Sequence, residues 1–310
     1  MKTKAKLILA MSVLTAGVVA AGATGTFAWF TTNRAAQLNY TSVTAQKNAG
    51  NLDLSMGLGT SVSEFDAAEK AESIDGAVAY VSKSAASTHS ISDVSSGDGI
   101  TFVKPIWATV AGNGKIASSF DSGKWGVDYT TFWFKVTNTG TNPLNVYLNS
   151  ATAIKGLADE NTEQKGKNDA AAKVARVAIN ATTKASGEND VPVMPSNETK
   201  TKTWILENHS TNDQKYVPSG LSAGAAVATQ GLPTTNTQAF ILPDGLQGIS
   251  STVHPDKQML VENLANGKSA YFVVSVWLEG TKDDGTNFDK AAGGKIDITL
   301  DLAGTEVFKA

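Results

Sequence analysis

The stretch Ala270-Tyr-Phe-Val-Val-Ser-Val-Trp-Leu-Glu279 decides the fold. Phe272, Val274, Val276 and Leu278 alternate with Tyr271, Val273 and Trp277, so an extended chain here is apolar on both faces. A strand that must be covered on both sides belongs in the middle of a sheet in a layered structure. Downstream, Ile296, Ile298, Leu300 and Leu302 alternate with Asp297, Thr299 and Asp301, which predicts a half-exposed partner. The stretch between them, 280–295, holds Asp284-Gly285 and Gly293-Gly294 and reads as a long hairpin loop. Upstream, 130–138 puts Phe132, Phe134 and Val136 on one face, and Thr-Gly-Thr-Asn-Pro at 139–143 turns the chain into Leu144, Val146 and Leu148, a second predicted hairpin.

Working outward, Leu52, Leu54, Met56 and Leu58 alternate with Asn51, Asp53, Ser55 and Gly57. Weaker strands are predicted at 78–81, 101–103, 174–179, 203–206, 239–242 and 259–261. Between them, 84–98, 155–170, 181–202 and 220–237 lack periodicity and read as surface loops. Short helices fit at 67–74 and 169–176. The expected fold is all-β: a jelly-roll type β-sandwich over 49–310 with long loop insertions and an extended N-terminal arm.

Lys2, Lys4 and Lys6 precede an apolar run over 7–23, and Thr26-x-Ala28 places small residues where a signal peptidase reads them. Residues 1–28 are therefore expected to be a removed signal peptide, cut between Ala28 and Trp29. A cut after Ala21-Gly22-Ala23 fits the same rule. Gly17, Gly22 and Gly25 interrupt a stretch shorter than the roughly 20 apolar residues of a bilayer span, so membrane contact is expected only through this peptide before cleavage. Its loss removes three lysines and no acid, taking the net charge from −3 to about −6. That balance argues against nucleic acid as a partner. The chain has no cysteine, so no disulfide and no thiol nucleophile are available.

Several short motifs, taken in order, resemble the TasA and camelysin family of secreted bacterial fibre proteins of biofilm matrix. They are Gly-Thr-Phe-Ala-Trp-Phe at 25–30, Asn-Leu-Asp-Leu-Ser at 51–55, Phe134-x-Val136-x-Asn138-x-Gly140, and Val-Trp-Leu-Glu-Gly at 276–280. The resemblance is strongest at the two ends and thin between about 150 and 255. It implies a jelly roll, processing by a dedicated signal peptidase, and polymerisation in which one subunit's N-terminal strand completes the fold of its neighbour.

Residues 29–48 are compatible with that role on their own terms. From 29 to 44 there is no proline, glycine or helical stripe; Phe30, Ala36, Leu38 and Tyr40 share one face, with Trp29, Ala35 and Val43 on the other. A twelve-residue arm at about 3.3 Å per residue reaches roughly 40 Å. Added to the sheet of another copy, it would gain main-chain hydrogen bonds from its length and specificity from alternate side chains. Donor and acceptor surfaces then differ, so the contact propagates head to tail. The alternatives for the same segment are the first strand of its own domain or a disordered tail.

Catalytic chemistry finds little support, and no catalytic residue or cofactor is expected. Some members of the resembled family are described as metallopeptidases, but His89, His209 and His254 form no His-Glu-x-x-His, and Glu207-x-His209 and His254-x-Asp256 are the nearest pairings. Asp283, Asp284, Asn287 and Asp289 gather oxygen ligands in one turn, a weak calcium candidate without EF-hand spacing. No Gly-x-Ser-x-Gly elbow occurs. Phe132-Trp133-Phe134 reads as core or interface before carbohydrate platform. Lys135 alternates away from Phe132 and Phe134, so exposure is the plainer reading than an isopeptide link to Asn145. Asn180, Asn197 and Asn208 head Asn-x-Ser/Thr sites. The expectation is a secreted, non-enzymatic subunit whose partners are copies of itself and, during export, a signal peptidase. It would form an extracellular filament of biofilm-matrix or surface-pilus type. The alternatives are a monomeric secreted adhesin or carbohydrate-binding module, and a camelysin-like metallopeptidase.

Overall fold

The structure is a computed structural model, and it describes residues 36–46, 52–61, 64–74, 78–83, 90–110, 114–196, 199, 202–207, 239–242, 246–249, 256–279 and 291–307. In chain order the elements are β1 (Ala36–Gln46), β2 (Leu52–Leu58), β3 (Glu69–Lys70), β4 (Glu72–Ile74), β5 (Val78–Lys83), β6 (Ser90–Ile91), β7 (Asp93–Val94), β8 (Val103–Val110) and β9 (Gly114–Ser122). There follow β10 (Tyr129–Asn138), β11 (Leu144–Leu148), β12 (Ala153–Gly156), α1 (Thr162–Val174), β13 (Ala175–Thr182), β14 (Lys202–Glu207), β15 (Ala239–Leu242), a 3₁₀ turn (Asp256–Gln258), β16 (Met259–Leu264), β17 (Ser269–Glu279) and β18 (Lys295–Glu306).

These strands build an all-β sandwich. One large sheet runs β16-β11-β18-β1-β5-β4, with β12 also on β18 and β6 on β1; the facing one runs β15-β14-β13-β17-β10-β2-β3, with β7 on β17; β8 and β9 form a two-stranded sheet of their own. Most pairs are antiparallel, but β1/β18, β14/β15 and β7/β17 are parallel. As its two apolar faces require, β17 lies between β10 and β13. Phe272, Val274, Val276 and Leu278 enter the main core between the sheets, with Phe134, Val177 and Ile298. On the other face, Trp277 joins Val94, Phe102, Tyr129, Ala178 and Ile205 in a smaller core.

Neither expected hairpin forms. β10 and β11 lie in opposite sheets, as do β17 and β18. Both edges of β10 are already occupied, by β17 and β2, so the chain after Asn138 has no free edge to pair with and must cross. Asn138 is fully buried and pins that corner. Its Nδ2 donates to the carbonyls of Asn142 (2.8 Å) and Leu264 (2.7 Å), and its Oδ1 accepts from Gly140 N–H (2.9 Å).

The segment 155–170, expected as loop, holds most of α1 instead. Asn161 caps it through Glu163 and Gln164 N–H, and Lys165–Asp169 and Lys167–Glu163 pair one turn apart. Only Ala170, Ala171, Ala172 and Val174, near its end, bury apolar surface, which is why no stripe announced it. Gly294 permits the close approach: a Cβ there would lie 2.5 Å from the Lys167 carbonyl oxygen. The helix expected at 67–74 is replaced by the short strands β3 and β4.

A polar clasp roofs the smaller core. Ser92 Oγ (2.6 Å) and Lys104 Nζ (2.8 Å) donate to Asp128 Oδ1, and Lys124 N–H (2.9 Å) donates to Oδ2. Burial pushes the Asp128 carboxyl up, but the hydrogen bonds from Lys104, Ser92 and Lys124, with the Lys104 charge, outweigh it and hold it below the usual carboxylate range.

Replacing Asn138 by Ala should cost about 2–4 kcal/mol, because two buried backbone groups and one half-buried one lose their partner. Urea denaturation with an unchanged slope would show it; a loss under about 0.5 kcal/mol would mean the corner is held otherwise. The clasp gives a pH signature. Since the folded-state pKa of Asp128 is depressed, its contribution is complete above the unfolded carboxylate value of about 4 and disappears as pH falls through the lower folded value. Denaturation midpoints of wild type and Asp128→Asn should therefore differ most near neutrality and converge in acid. Parallel curves would contradict the assignment.

Candidate functional site

The N-terminal strand and the slot it fills are the feature with the clearest chemistry. β1 is an inner strand, parallel to β18 from Gln37↔Lys295 to Ala45↔Leu302 and antiparallel to β5 from Thr41↔Lys83 to Gln46↔Val78. Its first residues, Ala36 and Gln37, pair with Ile91 and Ser90 of β6. Of the two arrangements open to 36–46, a single chain thus adopts the one in which the segment completes its own sheet.

The side chains of β1 sort by face, though not as strict alternation predicts. The ladder to β18 slips between Leu38↔Ile296 and Tyr40↔Asp297, leaving Asn39 as an extra residue. That bulge puts Leu38 on the same face as Thr41, Val43 and Ala45 rather than opposite Val43. Leu38, Val43 and Ala45 enter the core beside Ile91, Ile296, Ile298, Leu300 and Leu302. Burial of side chains of the Leu and Val kind contributes about 1.5–3 kcal/mol each. Ala36 and Tyr40 are fixed by register, opposite Ile91 and Asp297.

The opposite face of β1 carries a hydroxyl ladder. Ser42 Oγ donates to Thr299 Oγ1 (3.3 Å), and Thr44 Oγ1 donates to Asp301 Oδ1 (3.0 Å). Ser42 is buried, and Asp301 is only 3% exposed. The backbone of Asp301 is held from the far side. Its N–H donates to Thr152 Oγ1 (2.9 Å), and its carbonyl accepts from Asn149 N–H (2.8 Å) and Thr152 Oγ1 (3.1 Å). The acceptor wall of the slot is therefore rigid independently of β1. Sequence reading missed this ladder: Ser42-x-Thr44 and Thr299-x-Asp301 are visible as alternation, but nothing local says that they face each other across 257 residues.

The other sequence-derived candidates distribute as follows. The signal peptide, Ala28, Trp29, Phe30, the calcium candidates Asp283, Asp284, Asn287 and Asp289, and His89, His209 and His254 lie outside the described residues. Among the described residues, no group of three or more His, Cys, Asp or Glu is placed to hold a metal ion. No helix among them is long and apolar enough to cross a membrane. Phe132, Trp133 and Phe134 are all fully buried, so they offer no carbohydrate platform. Asn180 is fully buried, accepting from Thr203 Oγ1 (2.5 Å) and donating to Gly99 O (3.4 Å), which leaves it inaccessible to a glycan.

Lys135 is not exposed and not beside Asn145. The two stand on opposite sheets; Lys135 Nζ, with its side chain 16% exposed, pairs with Asp190, which also accepts from Tyr271 OH (2.5 Å). The Lys135 and Tyr271 hydrogen bonds hold the Asp190 carboxyl below its usual range, while burial and then Asp190 push the Tyr271 phenol up. This cluster ties the 183–196 segment to the sheet. Among the described residues, an open cleft of about 590 Å³ between Phe65 and Met194 is lined by one carboxylate, Glu64, with no base or nucleophile set beside it. No protein-family model, curated protein or solved structure matches the chain.

Proposed function

We propose that this protein is a secreted, non-enzymatic structural subunit that polymerises head to tail into an extracellular filament, with β1 of one copy filling the slot of the next. The jelly-roll subtype and the removal of residues 1–28 belong to the same reading. One observation carries it. β1 is the first strand among the described residues, yet it is an inner one, hydrogen-bonded along both edges by strands far away in sequence. It is followed by β2 of the opposite sheet, across residues 47–51.

Such a strand can be exchanged at small net cost, because the hydrogen bonds and buried faces it makes in its own sheet are the ones it would make in another copy. The equilibrium is then set by concentration, by the short connection, and by any further contact between bodies. Exchange also creates no unpaired edge: each slot is filled, and only the last subunit at one end presents an open one. The leader-like sequence of 1–28 supports export.

The absence of cysteine from the chain gives a direct test. Ser42 and Thr299 are register partners with hydroxyl oxygens 3.3 Å apart, so S42C/T299C should form a disulfide on oxidation. Assembled filaments are expected to run as a covalent ladder on a non-reducing denaturing gel. Cross-linked monomer alone, from a preparation that electron microscopy shows to be filamentous, would refute strand exchange. A preparation that stays monomeric at all concentrations would favour the adhesin reading.

A further inference from the structure

The slot does more than accept an extended chain. Its core face is shaped for Leu38, Val43 and Ala45, which many apolar strands could mimic. Its other face presents a Thr299 hydroxyl and a nearly buried Asp301 carboxylate, and the bound strand answers both with hydroxyls in register. A carboxylate at 3% exposure that loses a hydrogen-bond donor loses more than the bond is worth in water, since solvent cannot replace the donor there.

Register follows from the same groups. A one-residue slip brings Val43 or Ala45 opposite Asp301 and turns the core face outward. A two-residue slip in one direction keeps the faces but brings Gln46 opposite Asp301, and in either direction moves the Asn39 bulge away from the Ile296–Asp297 step of β18. The bulge and the hydroxyl ladder thus agree on one alignment.

The geometry points to Thr299 and Asp301 as the residues by which the slot selects its occupant: a strand with hydroxyls at the two positions given by Ser42 and Thr44, in a single register, as supplied by a second copy of this chain. This selectivity rests on the strand-exchange reading and adds to it the groups that recognise the incoming strand.

Complementary valine variants of the full chain test it. Thr44→Val spoils the donor strand and leaves the slot intact, whereas Asp301→Val alters the slot and leaves the strand intact. Each variant alone loses the contact in its closed monomer and in its filament alike, so its critical concentration should stay within about threefold of wild type while its denaturation midpoint falls. In an equimolar mixture only exchange restores matched pairs, valine strands in valine slots and threonine strands in aspartate slots, so alternating filaments should form at a concentration about 10- to 100-fold below that of either variant alone. If either variant is unfolded by circular dichroism, T44A and D301A repeat the cross with smaller side chains. A mixture that assembles no more readily than its parts overturns the selectivity. If the S42C/T299C ladder forms while the mixture fails, strand exchange stands and only this recognition falls. If no ladder forms, both fall together.

Discussion

From Lys295 to Leu302, one whole edge of β18 is satisfied by β1 and by no other described strand. The rest of that sheet depends on this pairing. β18 holds β11 and β12 on its far edge, β1 carries β5 on its own, and the core receives apolar side chains from both strands at the same level. Removing β1 would separate β5 and β4 from β18 and leave a slot with a row of unpaired backbone groups, a condition a folded chain avoids. The constraint is obligatory but indifferent to origin. Any strand with the right sequence, in the right direction, satisfies it.

Much of the architecture was legible because burial imposes period two on strands. The apolar faces of β17, β10, β2 and β18 were all readable, and β15 fell where expected at 239–242. Connectivity was not. Thr-Gly-Thr-Asn-Pro at 139–143 announces a reversal, but whether a reversing chain pairs with its predecessor or crosses to the facing sheet depends on whether that predecessor has a free edge, which is tertiary information. α1 was read only in its second half, as a short helix at 169–176, for a related reason: its first two turns are polar, and its capping Asn161 looks like any loop residue until Glu163 and Gln164 are seen to donate to it.

The slot was half legible. Residues 36–44 read correctly as extended, and the choice between completing their own sheet and another was left open by the residues themselves. The face assignment failed at one point, the bulge at Asn39, which local sequence does not mark with glycine. The partners of Ser42 and Thr44 were unreadable because they come from the other end of the chain. Conversely, Lys135 looked exposed by alternation, and only the folding of Asp190 over its sheet supplies the counter-charge that lets it sit largely out of solvent.

The direction of β1 relative to β18 has a mechanical consequence. Their ladder runs from Gln37↔Lys295 to Ala45↔Leu302, so a pull along the strand axis meets all its hydrogen bonds together, in shear, rather than opening them one after another like a zip. β5 clasps the opposite edge of β1 in the antiparallel sense, from Thr41↔Lys83 to Gln46↔Val78. A joint built this way yields easily to a sideways peel and stubbornly to tension, the asymmetry useful to any thread that must be assembled from one end and then bear load along its length.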